Sequence, residues 1–271
     1  MQHAIGFALA AVIGLSLGVM GGGGSILTVP VFVFVMGFSP KVAIAMNYPV
    51  VGATSLVGAI GHWRAGNFDV RNAIAFGALS MLGALASARF AARVPGVVQL
   101  TLLGIVMLAA AAMMLRSSAD AKTPPTGAPP QRRHPVLIAL TAVGVGMLTG
   151  LVGVGGGFLF VPALVLLAGI PIKTAVGTSL FVIAMNTLGA SLGYRGQVEI
   201  PWPMVAGFTA IAIVGSLAGT RIVRFVPAAT LRRGFAYFLL VMAAFILYQN
   251  RAVLADPGSA LKPSATGTTP R

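Results

Sequence analysis

A chain of 271 residues with 57% hydrophobic and only 8% charged residues is too apolar for an ordinary soluble domain. Cysteine is absent, which excludes disulfides, thiolate metal sites and Cys nucleophiles. The formal net charge of +14 is spread over loops instead of forming a stripe, so it suits anionic headgroups and anionic solutes and argues against nucleic acid as a partner.

In chain order, apolar blocks predict helices at about 4–20, 25–38, 42–61, 72–92 and 96–115. Further blocks follow at about 135–152, 157–170, 174–193, 202–222 and 231–249. No Lys or Arg precedes Ala4–Met20, so this stretch lacks the basic start of a signal peptide and reads as mature protein. Arg116 to His134 carries Pro124, Pro125, Pro129 and Pro130 and reads as an extramembrane linker. The chain is thus expected to comprise a first membrane repeat (1–115), a Pro-rich linker (116–134), a second membrane repeat (135–250) and a disordered tail (251–271).

Two glycine-rich segments interrupt corresponding blocks. The first is Gly18-Val-Met-Gly21-Gly-Gly23-Gly24-Ser25, followed by Pro30; the second is Gly150-Leu-Val-Gly153-Val-Gly155-Gly156-Gly157, followed by Pro162. They lie 132 positions apart, and the same offset pairs Gly37 with Gly169, Lys41 with Lys173, Arg89 with Arg221 and Pro95 with Pro227. A two-residue slip aligns Gly66-Asn-Phe-Asp69-Val with Gly196-Gln-Val-Glu199-Ile. Matched Gly, Pro, Lys and Arg in one order mark a tandem duplication. The expected fold is an all-α polytopic membrane protein of about eight transmembrane helices, as two tandem repeats whose first helices are glycine-broken or re-entrant. Four spans per half make the repeats parallel and five make them inverted, and loop charges do not decide between them. Counting alternate loops on the four-span scheme puts Lys41, Arg89, Arg93, Lys173 and Arg221 on one side.

Each glycine costs roughly 1 kcal/mol in a helix interior, and the freed backbone groups still need partners in lipid. The segments lack the Gly-Lys-Ser/Thr ending of a phosphate-binding loop. Close helix packing through small residues is one reading of them. The other is a helix break whose following half-helix aims free N–H groups and its positive dipole end into a cavity, a site for an anion. Gly21, Gly23, Gly24 and Ser25 then face Gly153, Gly155, Gly156 and Gly157. Thr178, Ser179 and Asn186 are polar groups within an apolar span, and Ser179 and Asn186 lie seven apart on one helix face. Asn47 stands at the Ser179 position of the first half. His62, Arg64, Tyr194 and Arg195 close their helices and read as interface anchors.

The only acids are Asp69, Asp120, Glu199 and Asp256, all outside the predicted spans. A cation site or proton relay normally places a carboxylate inside the membrane, so a small anion is the expected solute. No cofactor, metal or catalytic set is expected from three His and no Cys. The expected partners are a small anionic solute and membrane lipid, with a homo-oligomer left open.

The doubled glycine segment, Ala175-Val-Gly-Thr-Ser-Leu180 and Tyr194-Arg-Gly-Gln-Val-Glu199 together resemble the TauE/SafE family of membrane transport proteins over about 1–250. The resemblance implies a multi-pass inner-membrane protein, often with eight spans, that exports sulfite, sulfoacetate or related small anions. The chain departs from the pattern at Met46-Asn47-Tyr48-Pro49, which replaces the Thr-Ser-Leu run in the first half. The expected function is gradient-driven anion export. A passive anion channel, or a membrane-embedded enzyme or assembly factor, are the readings left beside it.

Overall fold

The computed structural model describes residues 2–91, 93–119, 135–152, 157–166, 169–249 and 251. Among them are ten α-helices and no strand. The first five are α1 (Gln2–Met20), α2 (Gly23–Pro30), α3 (Pro40–Arg64), α4 (Val70–Ala91) and α5 (Gly96–Ala119). The others are α6 (Pro135–Val152), α7 (Gly157–Leu166), α8 (Ile172–Tyr194), α9 (Trp202–Ile222) and α10 (Ala228–Gln249). Among the described residues α3, α4, α8 and α9 are long and apolar enough to cross a bilayer, and shorter apolar helices accompany them. This is an all-α polytopic membrane protein. Helix α5 continues past Arg116 to Ala119, because Arg-Ser-Ser-Ala holds no helix breaker and the prolines begin only at Pro124. Residues 120–134 and 252–271, covering most of the expected linker and tail, lie outside the described residues.

The first glycine segment turns the chain back on itself. Gly24 lies against the Ile13 carbonyl and the Leu17 side chain, and Gly6 lies against Met36. Helices α1 and α2 are therefore antiparallel arms of a hairpin bent at Gly21-Gly22. Pro30 lacks an N–H, and the helix widens from α2 into a π-helical stretch at Val31–Val35. Helix α3 then starts at Pro40, where a missing N–H costs nothing.

Close glycine contacts fix the directions of the longer helices. Gly14 sits on the Ala212 carbonyl, Gly18 on the Ser216 carbonyl and Gly219 on the Leu15 carbonyl, so α1 and α9 run parallel. Gly146 sits on the Ser80 carbonyl and Gly150 on Ala84 and Ser87, so α4 and α6 also run parallel. Helices α3 and α8 are antiparallel: Gly52 meets Thr187, Gly58 meets Leu180 and Gly177 meets His62. Small residues let these backbones touch where lipid supplies no hydrophobic drive for association. Lys41 and Lys173, which begin α3 and α8, consequently lie at opposite ends of the bundle. The four-span count put these two lysines on one side.

Four turns adopt left-handed glycine conformations at matched positions. Gly37 (φ 77°) and Gly169 (φ 68°) lie 132 residues apart, and Gly66 (φ 74°) and Gly196 (φ 79°) lie 130 apart. The Phe38 N–H donates to the Phe32 carbonyl at 2.9 Å, and Ile170 to Leu164 at 3.1 Å, so both helices end in the same i to i−6 cap.

The packing makes a paired prediction. A Cβ on Gly146 strikes the Ser80 backbone, whereas Gly144 has nothing within 4 Å. Gly146→Leu is expected to destabilise the detergent-solubilised protein by about 1–3 kcal/mol, read as a lower melting temperature. Gly144→Leu should stay within about 0.5 kcal/mol of the wild type. Equal melting of the two variants contradicts the α4–α6 contact.

Candidate functional site

The hairpin turn is held from two sides. The Gly21 N–H donates to the Leu17 carbonyl at 2.8 Å and closes the last turn of α1. Gly21 has φ 67°, a conformation that L side chains rarely adopt, and a Cβ there would meet the Val176 carbonyl at 2.6 Å. Ser179 completes the contact: its hydroxyl has the Gly21 carbonyl at 2.7 Å and the Val176 carbonyl at 2.8 Å. Residue 179 thus ties the middle of the second half to the break in the first.

Beyond the turn α2 begins at Gly23, and Ser25 donates its hydroxyl to the Gly22 carbonyl at 2.7 Å. The Ser25 N–H also turns to the Gly22 carbonyl, at 3.2 Å; the first N–H groups of a helix otherwise have no intrahelical acceptor. Helix α7 begins at Gly157 against this same point. A Cβ on Gly157 would lie 2.7 Å from the Gly22 α-carbon, 2.9 Å from the Ser25 hydroxyl and 2.8 Å from Ile183. The starts of two half-helices therefore meet inside the bundle, with Ser25 buried between them. Each carries roughly half a positive charge.

The other expected residues divide by what they touch. Gly24 faces α1 and serves the hairpin. Thr178 accepts the Asp69 N–H at 3.0 Å, and Asp69 holds Asn72 through its N–H (3.0 Å) and side-chain amide (2.7 Å). Asn186 is buried and donates to Thr149 at 3.0 Å, at the end of α6. Ser179 and Asn186 share a face of α8 and reach α1 and α6, the two helices that run into the glycine segments. Asn47 is buried on α3. Gly153, Gly155 and Gly156 lie outside the described residues.

Two residues read as interface anchors are nothing of the kind. His62 is 0% exposed, and its Nε2 lies 2.9 Å from the Gly18 carbonyl at the end of α1. Tyr194 is also buried, its ring 5.8 Å from that of Tyr48, which donates its hydroxyl to the Gly150 carbonyl at 3.2 Å. Position near a helix end misled the reading: neighbouring helices extend past these ends and cover them. Gly177 went unremarked although it packs on the Asn67 carbonyl and on His62. Its place inside Ala-Val-Gly-Thr-Ser-Leu was the available signal.

The family model for the sulfite exporter TauE/SafE matches residues 6–246. The chain belongs to the TauE/SafE family. It is 29% identical over 251 residues to a probable membrane transporter protein of Xylella fastidiosa strain 9a5c, covering 89% of this chain and 94% of that one. A probable membrane transporter protein of Bacillus subtilis, YunE, is 28% identical over 276 residues, covering 90% and 98%. A shorter match of 118 residues, 36% identical, relates 41% of this chain to 44% of the probable membrane transporter protein MJ0441 of Methanocaldococcus jannaschii. No solved structure matches it significantly. As a TauE/SafE member the protein is a membrane transporter, and the meeting of α2 with α7 is its candidate solute site.

Gly21→Ala in this TauE/SafE protein should destabilise more than Gly37→Ala. Both carry the left-handed strain of about 1–2 kcal/mol, but only Gly21 has α8 against it, while Gly37 has nothing within 4 Å. Thermal unfolding in detergent measures the order, and a reversed order contradicts the Gly21–Val176 contact. Ser179→Ala should cost about 1–3 kcal/mol, because the Gly21 carbonyl is left without the hydroxyl.

Proposed function

We propose that the protein is a gradient-driven exporter of a small anion, such as sulfite, sulfoacetate or another organosulfonate, in the cell inner membrane. The observation that carries the reading is the approach of the two half-helix starts at Gly22-Ser25 and Gly157. Two like dipole ends brought together in a low-dielectric interior repel, and an anion between them reverses the sign of the interaction. Backbone N–H groups then bind the solute without a buried cationic side chain. Among the described residues the acids, Asp69 and Glu199, lie outside the helices.

The architecture reads as two inverted repeats, α1–α5 and α6–α10, related by a two-fold axis in the membrane plane. The exchange of first helices supports this, since α1 lies on α9 and α6 on α4. The antiparallel α3–α8 pair and the matched glycine turns agree with it. Five elements per half invert the second repeat, and the solute sits at the repeat interface as in other transporters of this kind. Rocking of one repeat on the other exposes it to either face. Under the 132-residue offset Asn47 is the first-half equivalent of Ser179.

Efflux of radiolabelled sulfite, sulfoacetate, taurine and sulfate from proteoliposomes tests the proposal. The wild type should export one or more of the anions with saturation. Gly157→Leu fills the contact with Gly22 and Ser25 and should remove that efflux while the protein remains monodisperse. Efflux unchanged in Gly157→Leu contradicts the site, and single-channel currents in place of saturation contradict the transporter mechanism.

A further inference from the structure

His62 is a buried ionisable group that the anion site leaves unused. A carbonyl only accepts, so the 2.9 Å contact to Gly18 requires that Nε2 carry a proton and donate it. Nδ1 of the neutral ring then holds a lone pair. That atom is buried and has no hydrogen-bond partner among the described residues. An acceptor left unmet in a dry interior is costly and calls for a reason.

Its position supplies one. Gly18 lies one turn before the Gly21 break, and Gly177, which touches the His62 β-carbon, sits between Val176 and Thr178 beside the residues that hold Gly21. Gly18 is thus about one helical turn, on the order of 5 Å, from the Gly21 break at which the proposed solute site begins. It also lies at the C-terminal end of α1, where a positive charge is favourable. Three residues on, α3 gives way to the 65–69 turn that leads into α4.

The charged groups around it do not supply the missing partner. Arg64 on α3 and Arg221 on α9 are exposed. Lys173 on α8 donates to the Arg224 carbonyl at 3.3 Å. The Asp69 carboxylate is taken by Asn72. Helix α1 brings no ionisable side chain to this end, and neither does the start of α2.

We propose that His62 is the proton-coupling residue of the transporter: Nδ1 takes up one proton when the anion binds and releases it when the anion leaves. The inference rests on the anion site at Gly22-Ser25 and Gly157. The N–H bond formed at Nδ1 on one side of the membrane breaks on the other, so one proton travels with each anion, and export runs on the outward gradient of the anion itself. Imidazolium and anion favour each other's binding, and the linkage is reciprocal.

Sulfoacetate, whose acid groups are fully ionised near neutral pH, is the probe. Proteoliposomes containing a trapped pH indicator should acidify inside as sulfoacetate enters, and an inward proton gradient should accelerate that uptake. His62→Gln keeps an amide donor for Gly18 but has no basic nitrogen. It should still pass sulfoacetate while losing the acidification, and the net charge moved with each sulfoacetate should rise from one negative to two. Wild-type uptake without acidification overturns the coupling, as does acidification that persists in His62→Gln. Should His62→Gln fail to fold, the wild-type acidification alone decides. Gly157→Leu separates the two ideas: sulfoacetate flux retained there removes the anion site, and no flux of sulfoacetate or sulfate in the wild type removes the anion reading itself.

Discussion

The molecule is organised around two positive helix ends placed against each other where water does not screen them. The start of α2 and the start of α7 come within van der Waals reach at Gly22, Ser25 and Gly157. Alanine at Gly157 already intrudes on all three neighbours, so the approach exists only because the residues are small. Every other feature positions or tolerates that contact. The α1–α2 hairpin carries one start into the bundle, Ser179 pins its turn, and the antiparallel α3–α8 pair supplies the wall against which both rest.

Glycine has two separate jobs in this fold. At Gly21 the left-handed backbone is the requirement, together with the bare α-carbon that admits Val176. At Gly14, Gly18, Gly146 and Gly150 the backbone is ordinary helix, and the requirement is only that two helices touch. Close packing and a break in the helix therefore both occur, at different residues of the same motif. Gly18 packs on α9, Gly21 turns the chain, and Gly24 lies on α1.

Much of this was legible beforehand, for physical reasons. Breaking a helix at membrane depth is expensive, so Gly21 to Ser25 and Gly153 to Gly157 stood out against an otherwise apolar chain. Pro30, Pro162, Gly37 and Gly169 kept the 132-residue offset visible. A re-entrant hairpin stood only as one alternative, because α1 followed by α2 has the same hydropathy whether the chain continues or reverses. Its consequence, the opposite placement of Lys41 and Lys173, was hidden with it. His62 and Tyr194 were misjudged as anchors because linear distance to a helix end says nothing about whether a neighbouring helix extends beyond it. The hydrogen bond from Ser179 to Gly21 spans more than half the chain, and no local pattern encodes such a partner.

The account stands or falls on an anion between the two half-helix starts. The direct measurement is an experimental structure of the protein bound to selenate, whose selenium scatters anomalously. The account predicts a selenium peak between Gly22-Ser25 and Gly157, within hydrogen-bonding distance of the backbone N–H groups there. A selenium peak elsewhere in the protein, and none at Gly22-Ser25 and Gly157, would contradict it.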